Sequence, residues 1–239
     1  MYDYRDYCPV SKAAQVLCER WTLLIIREML AGCTRFSQLQ RYLPRISPSL
    51  LNDRLQLLEE NGIIVRKKIP EQRGYEYLLT NAGRELEPVI MALGGWAMHW
   101  VYEGMSREEL NVEVIMRDVQ NDIVVEKLPP GRTVLHFRFT DIASLNEWYL
   151  VIEDGKKQLC DEKLMLDVDV YFTCDLKTLA EVWIGDVSLE QAQGSGGMKI
   201  VGREPYLRTL RHWIGLSPFA PLERRSHQKR KNSRSHGKN

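Results

Sequence analysis

The sequence predicts an α+β protein of two domains, on three observations. Apolar residues recur at helical spacing through much of residues 10–60, a two-residue alternation typical of half-buried strands takes over between 133 and 174, and the charge balance shifts along the chain. Residues 101–222 carry 13 basic against 20 acidic side chains and residues 223–239 carry 7 against 1, within a 239-residue chain whose net charge is only +1. At 44% hydrophobic and 27% charged, the length suffices for two ordinary cores.

Several classes are disfavoured at once. No apolar run approaches the roughly 20 residues that cross a bilayer, and MYDYRDYCPV lacks the charged and apolar regions of a signal peptide, so no membrane partner and a cytoplasmic location are expected. The cysteines Cys8, Cys18, Cys33, Cys160 and Cys174 are odd in number and contain no CxxC pair, which indicates neither a disulfide framework nor a zinc site. There is no Gly-rich phosphate loop, HExxH or GxSxG, and His99, His136, His212, His227 and His236 are scattered. Neither catalysis nor a cofactor or metal is expected.

The first elements are helical. VSKAAQVLCERWTLLIIREMLAG brings Val16, Trp21, Leu24, Ile25 and Met29 to one stripe, as two short helices or one bent one, with Gly32 as the stop. Thr34 to Pro44 is the next helix, with Phe36, Leu39 and Leu43 apolar and Pro44 ending it. Ser47 to Gly62 then has both ends written in its sequence. Ser47 caps the first free N–H groups, Pro48 suits the first turn, and Gly62 permits a left-handed stop. Leu51, Leu55 and Leu58 face a core, which leaves Ser49, Asn52, Asp53 and Gln56 pointing away near the helix start. Short hydrogen-bonding side chains there suit base edges in a major groove, and Ser47 at the helix start is counted with them as a DNA-binding candidate, although a solvated helix face looks the same.

The segment after Gly62 separates the two readings. Ile63–Ile69 is β-branched with alternating charge, Pro70–Gly74 is turn chemistry, and Tyr75–Thr80 is a second strand. Two short helices, the second capped and polar, with a basic hairpin behind them, make a winged helix-turn-helix. Arg54, Arg66, Lys67, Lys68 and Arg73 are the candidates to hold phosphates, with Arg73 at the hairpin tip suited to a minor groove. Thr80 caps a long apolar helix through Leu86, Ile90, Leu93 and Trp96 or Ala97. Its surplus apolar face is most simply buried in a second subunit, with packing on the C-terminal domain as the rival explanation.

Residues 8–100 resemble the HxlR-type winged-helix transcriptional regulators, related to the MarR group. The resemblance is carried by Cys8-Pro9, Arg20-Trp21, Arg35-Phe36-Ser37-Gln38-Leu39, Ile46-Ser47 with Leu51, Arg54-Leu55 and Leu58-Glu59, Gly62-Ile63, Tyr77, Leu79-Thr80, Gly83 and Trp96. It implies double-stranded DNA as partner and a homodimer whose recognition helices lie about one DNA turn apart. In some members the cysteine matching Cys8 senses oxidants or electrophiles, making Cys8 a redox candidate. Asp3 and Asp6 nearby are the wrong sign to favour a thiolate, which points to a structural cysteine.

The second domain starts near 104. Met105–Val124 opens on a capping box, Ser106 to Glu109, and reads as one connecting helix. GRTVLHFRFTD, EWYLVIEDGKKQLC with an Asp154-Gly155 turn, and LMLDVDVYFTCD alternate as strands of an antiparallel sheet with one wet face. A capped helix to Trp183-Ile184-Gly185, a short helix, a strand at Met198–Val201 and a closing helix complete an α+β domain. This region resembles the sterol-carrier-protein type of lipid-binding domain, through Asp167, Leu179 to Gly185, Ala192, Gly194 to Ile200, Gly202 and Trp213 to Ala220. The resemblance implies a sheet covered by helices with an apolar tunnel between them. Trp148, Phe172, Trp183, Met198, Ile200 and Phe219 are the candidates to line it for an apolar small molecule or lipid, and filling a dry core is the alternative for each.

Three segments therefore stand as expectations: a DNA-binding and dimerisation domain over 1–103, a sterol-carrier-like domain over 104–222, and a disordered basic tail over 223–239. The function expected is operator binding under control of an apolar effector. The alternative is a lipid-binding or protein-interaction module whose winged helix does not read DNA specifically.

Overall fold

The computed structural model describes residues 4–70, 73–162 and 164–222, so the expected basic tail lies outside the described residues. The chain divides into two compact units, Met1–Gly95 and Trp96–Asn239, the division falling within a helix inside the expected first domain.

In the first unit the opening stretch is two helices, α1 (Pro9–Leu17) and α2 (Thr22–Leu30), separated at Trp21, which adopts a left-handed φ of 78°. The next helix, α3 (Phe36–Tyr42), is shorter than the Thr34–Pro44 expected. Two interactions hold its first residues out of the helix. Gln38 Oε1 accepts from the backbone N–H groups of Thr34 and Arg35, and the Thr34 carbonyl accepts from Tyr77 N at 2.8 Å. Next comes α4 (Pro48–Glu60), with Ser47 Oγ accepting from Leu50 N at 3.2 Å and Gly62 left-handed past its end. Its Leu51, Leu55 and Leu58 are buried against Ile25, Ile26 and Leu39. Truncating such a leucine to alanine typically costs about 2–5 kcal/mol.

Strands β1 (Ile64–Lys68) and β2 (Tyr75–Leu79) form an antiparallel hairpin in the register Ile64 to Leu79 through Lys68 to Tyr75. The single helix expected after Thr80 is two, α5 (Asn81–Arg84) and α6 (Glu87–Trp100), with Pro88 in the first turn of the second. Thr80 Oγ1 accepts from Gly83 N and donates to the Gly62 carbonyl at 2.7 Å. Gly83 has no space for a side chain, since a Cβ would lie 2.3 Å from the Ile63 carbonyl oxygen.

In the second unit the expected helix over 105–124 is divided. Glu109 does reach back to Ser106 N at 2.8 Å, but this box closes only a 3₁₀ turn, and Asn111 caps the true helix, α7 (Val112–Asp122), through Glu113 N and Val114 N. Five strands form its sheet: β3 (Thr133–Phe139), β4 (Glu147–Glu153), β5 (Lys156–Cys160), β6 (Val170–Cys174) and β7 (Met198–Gly202), in the spatial order β5-β4-β3-β6-β7. The sheet is not wholly antiparallel as expected. β6 runs parallel to β3 because the chain leaves the β5 edge and crosses back to the centre before β6 begins. Alternation at Asp167-Val168 does not extend the strand, because the Asp169 carboxylate is spent on Val134 N at 2.8 Å and on Arg203 at 2.9 Å.

Between β6 and β7 lie α8 (Leu176–Ile184), capped by Asp175 and ended by left-handed Gly185, and α9 (Leu189–Gly194), capped by Ser188. Two short helices, α10 (Glu204–Arg208) and α11 (Leu210–Trp213), close the unit. The core gathers Leu135, Phe137 and Phe172 of the sheet with Met116, Leu179 and Trp213 of the helices. Gly215 packs so tightly that a Cβ there would lie 1.6 Å from the Asp122 carbonyl oxygen.

Candidate nucleic-acid interface

With Leu51, Leu55 and Leu58 buried, the helical repeat turns Ser49, Asn52, Asp53 and Gln56 to the opposite face of α4, and all four are exposed. Gln56 Nε2 donates to Glu60 Oε1 at 2.8 Å. Asp53 makes no ion pair among the described residues, and it does not brace Arg54. Ser47 is spent on capping.

Arg54 stands elsewhere than the sequence suggests. Its Nη2 lies 3.0 Å from Glu19 Oε2 and its Nε donates to the Arg20 carbonyl at 2.9 Å. Both partners belong to the turn between α1 and α2, so this guanidinium joins helices within the unit instead of waiting for a phosphate.

The hairpin cations also divide. Successive strand residues point to opposite faces, which puts Arg66 and Lys68 on one side and Val65 and Lys67 on the other. Arg66 shares the side of α4, since its Nε lies 3.7 Å from Glu59 Oε2 and its guanidinium stacks 4.6 Å from the Tyr75 ring centroid. Lys68 and Arg73, at the hairpin tip, are exposed. Lys67 instead lines a cleft on the opposite face. Thus Ser49, Asn52, Asp53 and Gln56 are gathered on one helix face, Arg66 and Lys68 share a strand face on the side of α4, and Arg54 and Lys67 are turned away. Sequence reasoning missed the tie between these parts. Arg35 bridges to Glu76 of β2 with 3.5 Å between side chains, next to the Thr34–Tyr77 bond, so the segment leading into α3 is stitched to the hairpin.

Residues 16–105 match the model of the HxlR-like helix-turn-helix family. Over 98 residues the chain is 38% identical to YvaP of Bacillus subtilis (strain 168), an uncharacterized HTH-type transcriptional regulator, an alignment that spans 40% of this chain and 91% of that protein. The chain belongs to the HxlR-like helix-turn-helix family. The HTH-type transcriptional regulator YodB of the same organism is 36% identical over 92 residues, spanning 38% of this chain and 82% of YodB. The solved reduced form of YodB aligns with 42% of this chain and all of that one at 33% identity, with a TM-score of 0.37. The HxlR-like match ends at residue 105, and the sheet of the second unit lies beyond it.

Cys8 sits at the N-cap of α1, where the backbone N–H groups of Ser11 and Val10 draw its pKa below the ordinary thiol value. The helix end supplies positive charge to this thiol through its amides. Cys174, by contrast, is buried on β6 and its thiol is pushed up to about 12. Among the described residues no group of three or more His, Cys, Asp or Glu side chains is placed to hold a metal, and no helix is long and apolar enough to cross a membrane.

Of the six tunnel candidates, Trp148, Phe172 and Met198 are core residues, Trp183 and Ile200 pack against that core, and Phe219 is half-buried in the final segment. Trp183 Nε1 is committed to Asp122 at 2.7 Å, and the Phe172 ring stacks on Phe137 with centroids 4.6 Å apart. The opposite sheet face holds a feature not foreseen. His136 lies between Tyr149 and Tyr171, its Nε2 buried without a hydrogen-bond partner among the described residues, and burial depresses its pKa.

Proposed function

We propose that the protein is a homodimeric transcriptional regulator in which α4 reads an operator and the hairpin holds the flanking backbone. Supporting this reading is the exposed polar face of α4, beside the Arg66 and Lys68 face of a hairpin, in a chain of the HxlR-like family. Ser49, Asn52, Asp53 and Gln56 meet base edges, with Asp53 suited to a cytosine amino group, and Arg66, Lys68 and Arg73 meet phosphates. The dimer is supported by α6, where Val89, Leu93, Trp96 and Trp100 recur at helical spacing and are 40–55% exposed. Residues 1–103 act as the DNA-binding and dimerisation domain in this scheme, with Cys8 its oxidant-sensitive thiol.

Residues 104–222 serve as a sterol-carrier-like domain that takes an apolar molecule between the sheet and α8. What supports the assignment is the layout, an apolar sheet face carrying Trp148, Phe172 and Met198 and sharing its core with Leu179, Ala180 and Val182 of α8; these side chains are packed together, so they must part to admit the molecule. Such a molecule regulates only by binding the DNA-competent and incompetent dimers with different affinity.

The test selects binding sites from random duplexes and titrates the winner by fluorescence anisotropy. A selected site outcompetes random DNA, Asn52→Ala alters the preferred base at one position per half-site, and Arg73→Ala weakens all sequences alike. If no selected duplex outcompetes random DNA, the operator reading is wrong.

A further inference from the structure

On the face of the hairpin that carries Val65 and Lys67 lies a cleft of about 750 Å³, within the 300–1,000 Å³ range of small-molecule sites. About half of its lining is apolar. Val65 and Leu78 are a cross-strand pair, and Met29 and Leu30 reach the cleft from the last turn of α2. Val65 is 40% exposed although its partner Leu78 is half-buried, which leaves open apolar surface in the middle of a strand.

The rim is cationic. Lys67 is exposed; Glu76 stands directly opposite it across the strands, and that carboxylate is paired with Arg35 at 3.5 Å. Arg84 is already oriented, donating from Nη1 to the Leu79 carbonyl at 2.7 Å and from Nη2 to Asn81 Oδ1 at 2.8 Å, with donors to spare. Glu87 is the one carboxylate among the described residues of the lining. Two cations against one anion, beside an apolar half, is the pattern for an amphipathic anion. The apolar half disfavours a nucleotide or free phosphate, and the cations disfavour a neutral hydrocarbon.

We propose that this cleft binds a small amphipathic carboxylate, its apolar body on Val65, Leu78 and Leu30 and its charge on Lys67, with Arg84 as the second cation. Lys67 is then a ligand-binding residue, which accounts for its separation from Arg66 and Lys68. The site does not depend on whether the wing meets DNA.

The full chain is titrated with 4-phenylbutyrate and, in parallel, with the neutral 4-phenylbutanol, and backbone amide shifts are followed by NMR. The carboxylate is expected to give saturable shifts confined to residues 29–34, 65–67 and 77–87. The alcohol, and the carboxylate on Lys67→Gln, should each bind at least about tenfold more weakly, the scale of one charge-assisted hydrogen bond. An unchanged melting temperature for Lys67→Gln shows that the variant is folded. Equal binding of acid and alcohol, shifts centred on another part of the chain, or no saturation by about 10 mM would each overturn the site. Since the readout contains no DNA, a failed operator selection leaves this result untouched, and a failed titration leaves the operator reading untouched.

Discussion

Replacing Arg54 by alanine separates a stabilising role from a DNA-contacting one. The wild-type side chain makes one charge-assisted bond to Glu19 at 3.0 Å and one to the Arg20 carbonyl at 2.9 Å, with the Arg54 and Glu19 side chains 17% and 28% exposed. Both bonds are charge-assisted, since the guanidinium is ionised; such a bond contributes roughly 1.5–3 kcal/mol when buried, and partial exposure reduces each to well under that, so the net loss is about 1.5 kcal/mol. For a unit of this size that lowers Tm by about 6–12 °C. Lysine should not rescue the loss, because it lacks the planar fork that serves both acceptors. Scanning calorimetry gives the Tm, and operator titrations between about 50 and 200 mM salt give the slope of log K against log salt. Arg54→Ala should leave that slope unchanged, whereas Arg66→Ala, Lys68→Ala or Arg73→Ala should each reduce it by about 0.9. A slope reduced by about 0.9 in Arg54→Ala with an unchanged Tm would show that the guanidinium leaves Glu19 for a phosphate, and the reasoning would fail.

Four further outcomes are expected. His136 is held neutral by burial, so its folded pKa lies below the unfolded value of 6.5; the stability it contributes is present above pH 6.5 and lost as pH falls, and urea melts of His136→Phe should lose part of this acid sensitivity. Gly215→Ala should destabilise the second unit by about 3 kcal/mol, seen as a lowered melt, because residues 122 and 215 must separate to admit the methyl group. Iodoacetamide should alkylate Cys8 with a pH midpoint below the ordinary thiol value while Cys174 stays unreactive in the native protein, and mass spectrometry of the peptides reports both. Trp96→Glu should convert a dimer to a monomer in sedimentation velocity, and a dimer that survives it would remove α6 from the interface.

The parts legible in the sequence were those decided within a few residues. Ser47, Thr80 and Asp175 each cap the adjoining helix, and Gly62 and Gly185 each take the left-handed turn beyond a helix, since caps and stops are local chemistry. The polar face of α4 came from the spacing of its leucines. What escaped depended on partners distant in sequence. Glu19, 35 residues away, captures Arg54, and nothing around residue 54 announces it. The alternation at Val168 gave no warning that Asp169 would turn to Val134 N, nor that β6 would enter the sheet parallel to β3. Lys67 was legible as one cation in a run of three on a strand, but assigning it to a face required knowing which side of that strand meets Glu59.

Thr80 has a mechanical consequence. Its hydroxyl donates to the Gly62 carbonyl just beyond α4 and accepts from Gly83 at the start of α5, while Gly83 itself touches the Ile63 carbonyl with no room for a methyl group. The exit of α4 and the start of α5 are thereby geared together, so a twist of α4 about its own axis must either turn α5 with it or strip this hydroxyl of its partners. The link is local, since the Thr80 N–H also donates to the Ile63 carbonyl at 3.0 Å, so residues 62–63 and 80–83 form one clasp at the base of the hairpin.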